Sequence, residues 1–202
     1  MNFLKKVKNT INPNVQHVKI KRLDGSAVMP SYAHDGDIGM DLTAISVEYD
    51  EVNDLYLYHT GISIETKKNL GTFLFVRSSN RKTDSYLANH VAVIDSYLYR
   101  GELIICYKNR DSLRLLARDA QIEEFFKQIR NGESIEYAAN KAVEVFKDFM
   151  ENKEKIMSLA PYKVGDRIAQ MVFVNHKTIE LTEVVELSQT VRGENGFGST
   201  GN

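Results

Sequence analysis

A change of rhythm limits the folds open to this chain. From about Ser112 to Leu159, apolar residues return at helical spacing: Leu115, Ile122, Phe126 and Ile129 form one run, and Ile135, Ala139, Ala142, Phe146 and Phe149 the next. Asn131-Gly132 separates the runs, Ser134 is placed to cap the second, and Pro161 closes the stretch, so it predicts a helical hairpin. On either side the texture is different. Val15–Ile20, Leu55–Tyr58, Gly61–Glu65, Thr72–Val76 and Leu103–Tyr107 precede it, and Arg167–Val174 and Thr178–Leu187 follow, all short β-rich runs broken by polar turns. Many short strands with little helix predict a sandwich or barrel, here interrupted by the hairpin. At 202 residues, the chain has room for one such domain and its insertion. The tail, from Arg192 onward, is rich in glycine.

Charge excludes whole classes of function. Lys plus Arg is 26 and Asp plus Glu is 27, so the formal net charge is -1, and no global field draws the chain to nucleic acid or anionic lipid. Any polyanion must be held locally. The single cysteine, Cys106, rules out an intrachain disulfide and an all-cysteine zinc site, and its place in a strand predicts a buried, inert thiol. His34 and His90 lack metal-ligand spacing. Lys5, Lys6 and Lys8 fall where a signal peptide needs its apolar stretch, and no apolar run reaches the length of a membrane span. The expected location is the cytoplasm.

Four stretches carry chemistry, and each has a plain alternative. Ala33–Leu42 crowds Asp35, Asp37 and Asp41 with two glycines; it is an Asx-type turn or a place where Asp41 holds water around a hard cation. Val76–Lys82 offers Arg77, Ser78 and Ser79 after an apolar strand, as a solvated basic loop or a polyphosphate clamp. Leu87–Leu103 reads as a strand, a turn opened by Asp95 and a returning strand. In such a hairpin Asp95 is an ordinary cap or, at the rim of an apolar cleft, a general base. The fourth joins Gly165–Gln170 to the tail, where Gly196 to Gly201 matches GxGxxG with one residue after it, too few for the helix of a dinucleotide fold. The tail is a loose terminus or an arm that folds over a phosphate-bearing ligand.

In this order the four stretches resemble the five motifs of the all-β, homotrimeric dUTPase family. Twelve positions separate Arg77 from Asn89 and six separate Asn89 from Asp95, as in the family pattern, and the match runs from about Pro30 to Gly201 apart from the helical stretch. The resemblance implies a mainly β fold, a jelly-roll or β-barrel of the β-clip type. Residues 1–110 and 160–188 would form the core, 111–159 a helical insertion and 189–202 a flexible arm. It also implies hydrolysis of dUTP to dUMP and pyrophosphate with Mg²⁺, at sites built between subunits of a homotrimer. Asp95 would activate the attacking water. Arg77, Ser78 and Ser79 match the phosphate loop, with Ser79 and Gln170 near the reacting phosphate. Asn89 would meet the nucleoside. In the arm, Phe197 would cover uracil while Arg192, Gly198, Ser199 and Thr200 approach the phosphates. Asp41 matches the aspartate that touches the hydrated metal.

Departures from the pattern sharpen the expectations. Four residues stand between Asp95 and Arg100 where the family usually has three, so Tyr97 or Tyr99 packs on deoxyribose; Tyr99 is preferred because it keeps the Tyr-Arg-Gly triplet. Ala92 and Asn195 replace usual glycines, and Ala92 would crowd the backbone if its φ had to be positive. Residues Arg110 to Ala160 hold nine Lys/Arg and ten Asp/Glu, so the insertion is no nucleic-acid arm. Its possible uses are a protein partner, as in insertion-bearing phage members, or support for the barrel. The related dCTP deaminase, which shares the barrel, is the rival enzyme.

Overall fold

The computed structural model describes residues 15–111 and 113–191. Ten strands, β1 to β10, and three helices lie within them. One sheet runs β2 (Met40–Thr43), β10 (Arg167–Asn175), β6 (Leu70–Val76), β8 (Ala92–Ile94). The second runs β3 (Ser46–Asp50), β4 (Leu55–His59), β9 (Ile104–Asn109), β7 (Ser85–Leu87), and β1 (Lys19–Arg22) pairs with β5 (Ile62–Glu65) as a third, two-stranded sheet. Every named pairing is antiparallel. The short-strand texture predicts such a sandwich or barrel, and the architecture is the jelly-roll that the resemblance implies.

Alternation decides which residues fill the interior. In β4, Tyr56 and Tyr58 point inward while their neighbours are half-exposed. Leu42, Ile62, Leu74, Leu103, Ile105, Ile168 and Met171 complete the core. Three tyrosine rings, Tyr58, Tyr107 and Tyr162, meet there with centroids 5.0 to 6.1 Å apart. A buried phenol needs a partner. Tyr58 donates to the Tyr162 carbonyl at 2.9 Å and Tyr107 to the Ile168 carbonyl at 2.7 Å, which fixes the entry to β10.

The helical stretch forms as its spacing dictates. Helix α1 is Leu113–Arg130 and α2 is Ile135–Glu151; Gly132, at φ +84, turns the chain between them. The Ser134 hydroxyl caps α2 by accepting from the Tyr137 N–H at 3.2 Å. A third, short helix, α3 (Lys153–Ser158), follows, capped by the Asn152 side chain. The helices are seated in the barrel core: Leu113, Ala117, Phe149 and Ile156 belong to its apolar cluster, and Tyr56 donates to the Ile156 carbonyl at 2.8 Å.

Two expectations need correction, and one conditional is answered. Thr178–Leu187 forms no strand; it has no ladder partner among the described residues, and its apolar residues stand in the open. The strands on either side of Asp95 do not pair with each other, since β8 bonds to β6 and β9 to β4 and β7. The turn therefore crosses from one sheet to the other. Ala92 lies in β8 without positive φ, and the left-handed residue of that segment is His90, at φ +58, with its ring stacked on Tyr86.

Candidate functional site

The first half of the site lies where three strands run side by side. Register sets Gln170 of β10 opposite Asp41 of β2 and opposite Phe75 of β6, and Arg77 leaves the end of β6 directly beside them. Asp41 is 6% exposed, and both of its carboxylate oxygens are engaged. Arg77 Nε donates to Oδ1 at 2.7 Å, Arg167 Nη1 to Oδ2 at 3.0 Å, and Gln170 Nε2 reaches Oδ1 at 3.5 Å. Arg77 Nη1 also donates to Ser79 Oγ at 3.3 Å. Ser78 and Ser79 open a 3-10 turn, Ser78–Lys82, which is pinned from below by the Tyr162 hydroxyl on Asn80 Oδ1 at 3.0 Å. Gly39 leaves room for this packing, because a Cβ there would stand 3.1 Å from Gln170 Cβ.

Arg167 is the residue that motif reading missed, although it lies in the quoted Gly165–Gln170 stretch. Three positions separate it from Gln170, a spacing that sends two side chains to opposite faces of a regular strand. The register slips between Arg167 and Ala169, however, so Arg167 stands opposite Thr43 and Gln170 opposite Asp41. That bulge puts both on one face. Two guanidiniums then surround one carboxylate, and Arg81 and Lys82 follow in the exposed turn, so this corner is cationic within a nearly neutral chain. It can bind a polyphosphate bidentately through arginine and through neutral hydroxyls.

The second half sits elsewhere on the same chain. Asp95 follows β8 and is exposed. Since Ile94 faces Thr72, Asp95 faces the beginning of β6, whereas Arg77 leaves its other end. At ~3.3 Å per strand residue the two lie roughly 20 Å apart. Asn89 is exposed in the turn before β8, where its carbonyl accepts from the Val91 N–H at 2.6 Å. Tyr97 and Tyr99 both project from the Asp95 turn. Tyr99 is held, its hydroxyl donating to the Glu102 carbonyl at 3.0 Å with its ring over Gly101. Arg192, Phe197, Gly198, Ser199 and Thr200 lie outside the described residues.

Neither half holds a ready-made metal cage. Among the described residues there is no group of three or more His, Cys, Asp or Glu placed to chelate an ion. Among the described residues Asp41 is the one acid in the cationic corner's bonding network, and its oxygens already receive two guanidiniums. This donor set fits an ion brought in by phosphates and water rather than a resident one. Near the base of the Asp95 loop, His59 Nδ1 lies 2.9 Å from Glu102 and Nε2 3.5 Å from Glu48. The hydrogen bond to Glu102, helped by Glu48, raises the His59 pKa above its ordinary value. Burial raises the Cys106 thiol, which is half-buried in β9.

Fold and site together define an antiparallel jelly-roll protein with an arginine-rich corner and a separate acid-bearing turn. Comparison with known proteins narrows this class. A sequence profile of the dUTPase family matches residues 153–201. The deoxyuridine 5'-triphosphate nucleotidohydrolase of Alkaliphilus metalliredigens is 32% identical over 186 residues, covering 92% of this chain and 97% of its own. That of Desulfitobacterium hafniense strain DCB-2 is 30% identical, covering 96% and 98%. Among solved structures, the Staphylococcus bacteriophage 80alpha dUTPase with dUPNHPP aligns at TM-score 0.58 and 22% identity, over 93% of this chain and 100% of its own. A phage phi11 dUTPase that coordinates a structural Mg(II) ion aligns at TM-score 0.54 and 19% identity, over 86% and 100%. The structural likeness supports the fold, and the sequence relatives establish the kinship: this chain belongs to the dUTPase family.

Proposed function

We propose that Asp95 activates the water that attacks the α-phosphorus of dUTP, in a pocket completed by other copies of the chain. The family's reaction is hydrolysis of dUTP to dUMP and pyrophosphate, and this chain is a dUTP diphosphatase. The separation of the two half-sites supports the intersubunit reading: an acid roughly 20 Å from the arginine corner of its own chain can serve a phosphate bound there only from a neighbour. A homotrimer of the family's kind supplies that neighbour. Residues 1–110 and 160–188 are then the enzyme body, 111–159 the appendage and 189–202 the arm.

In this reading Arg77, Ser78 and Ser79 receive the phosphates, and Gln170 and Ser79 lie nearest the reacting one. Asn89 reads the nucleoside, and Tyr99 or Tyr97 packs on the deoxyribose. From the arm, Phe197 covers the base while Arg192, Gly198, Ser199 and Thr200 close on the phosphates; an aromatic over a base contributes about 1–3 kcal/mol. Asp41 is the residue that would hold a Mg²⁺ ion accompanying the nucleotide, through water. Once bound, the ion neutralises phosphate charge in a reaction that rests largely on positioning and electrostatics. The chain's own residues orient the triphosphate, exclude water and hold the proton acceptor. We place this reaction in the cytoplasm, among the free nucleotides.

The decisive measurement is pyrophosphate release from dUTP with Mg²⁺. Asp95→Asn should lower it by roughly 10²–10⁴, the usual worth of a positioned general base. Retention of activity within about tenfold of native would remove Asp95 from the role. Ammonia release from dCTP tests the deaminase alternative.

A protein partner at the insertion is a second role. Its support is an apolar strip on the helices, where Ile122, Phe126, Ile135 and Val143 are exposed. Phe126→Asp should then abolish partner capture and leave dUTP turnover intact.

A further inference from the structure

Asp95 opens an exposed turn, yet the residue beside it is one of the most buried polar groups described. Ser96 is 1% exposed; its hydroxyl lies 2.8 Å from Thr66 Oγ1 and 2.7 Å from Thr72 Oγ1, both also buried. Thr72 belongs to β6 and stands opposite Ile94, while Thr66 directly follows β5. The three hydroxyls thus join three segments directly beneath the turn. Backbone bonds reinforce them: Ser96 N–H donates to the Ile94 carbonyl at 2.7 Å, and Thr66 N–H to the Ser96 carbonyl at 3.2 Å.

Arg100 closes the turn from outside. Its Nη1 donates to the carbonyls of Ser96 at 3.0 Å and Tyr99 at 2.9 Å, and its Nη2 to that of Tyr97 at 2.9 Å. The guanidinium stands 3.6 Å from Glu65, and the Ser63 hydroxyl donates to the Arg100 carbonyl at 2.9 Å. The peptide that carries Asp95 is thereby held on two sides.

Stability alone does not call for such a cluster. Replacing mutually bonded buried groups by apolar ones of the same shape is close to neutral or stabilising. What hydroxyls supply and methyl groups do not is direction, because each bond fixes an angle as well as a distance. Direction matters where a reacting group must be aimed, since a misplacement of about 1 Å can cost about a hundredfold in rate.

We propose that Ser96, bonded to Thr66 and Thr72, is a positioning residue that sets the direction in which Asp95 leaves β8, with Arg100 holding the outer side of the turn. The proposal rests on the reading of Asp95 as general base.

The test uses the full chain with dUTP and Mg²⁺, measuring single-turnover pyrophosphate release and KM for Ser96→Ala and Thr72→Val, each in the native and the Asp95→Asn background. Thr72→Val keeps the volume and removes one hydroxyl, so it serves should Ser96→Ala fail to fold. In the native background the rate should fall between about tenfold and a hundredfold, with KM within about twofold. In the Asp95→Asn background neither variant should lower the rate further, because the group being aimed is already gone. A rate unchanged in the native background overturns the proposal, and so does an equal loss in both backgrounds, which marks a merely structural role. Near-native activity of Asp95→Asn by itself refutes the general-base reading, an outcome seen in a different variant, and the positioning role falls with it.

Discussion

The pairing of Asp41 with Arg77 and Arg167 shows how much one carboxylate can organise. A motif assigns Asp41 to the metal; its hydrogen bonds make it first an anchor for two guanidiniums and Gln170. Asp41→Asn leaves two cations facing each other with their shared acid gone. Loss of a buried partner of this kind costs about 3 kcal/mol, measurable by urea denaturation, and KM for dUTP should rise with it. Gly39→Val should act on the neighbouring Gln170, since even a Cβ at this position comes within 3.1 Å of that side chain. Turnover should fall severalfold with little loss of stability, a split that parallel kinetics and melting would reveal. His59 is the residue with a pH signature. Its raised pKa means that the Glu102 bond stabilises the fold fully below the unfolded value near 6.5, and that this contribution fades as pH climbs through the folded value. The stability difference between native protein and His59→Gln should therefore be larger at about pH 5.5 than at about pH 8.5.

Among the elements, the insertion is the one whose role the sequence leaves most open. Its two long helices follow from apolar spacing, a serine cap and a glycine turn, all of them local signals. Their seating is a tertiary matter. Leu113, Ala117 and Phe149 enter the barrel's cluster, Ile156 of α3 does so too, and Asn109 Nδ2 donates to the Leu159 carbonyl at 2.9 Å. Excising residues 113–158 therefore uncovers core surface, and the shortened chain should unfold at markedly lower urea than the native one. Shortening the hairpin near its Asn131-Gly132 turn should be tolerated, because residues there are exposed. Equal stability of the two deletions would contradict this account. The 3-10 turn after β6 illustrates the same division. Its arginine and serines are legible as a phosphate loop, whereas the Tyr162 hydroxyl that braces Asn80 comes from a position with no sequence pattern to announce it.

Across the molecule, the intersubunit reading draws on surfaces that one chain leaves open. The acid and the arginine corner are set apart, and after β10 the segment to Val191 leaves Leu181, Val185 and Leu187 at least 86% exposed. A β-textured stretch with no strand partner is a ready site for pairing with another chain. A groove of about 650 Å³, lined among others by Val18, Ile20, Met29, Tyr32 and Phe173, offers further apolar surface for assembly. If the segment is covered by another copy, Val185→Asp should be silent for the fold of one chain yet shift sedimentation from trimer towards monomer. Activity should then fall in proportion, because a pocket shared between copies would lose its borrowed residues.

The class of fold, the helices and the chemical vocabulary of the site were legible along the chain. Periodicity, caps and turn residues act over a few positions, and the Arg77, Asn89 and Asp95 intervals are fixed along the chain. Which of those groups meet follows from register and packing. The bulge in β10 turned Arg167 onto Asp41, the antiparallel register of β8 on β6 set Asp95 and Arg77 at opposite ends of one strand, and the β-textured Thr178–Leu187, with no ladder partner among the described residues, did not become a strand. These outcomes depend on register and on partners distant in sequence, because a strand's hydrogen bonds are satisfied by another segment rather than by itself.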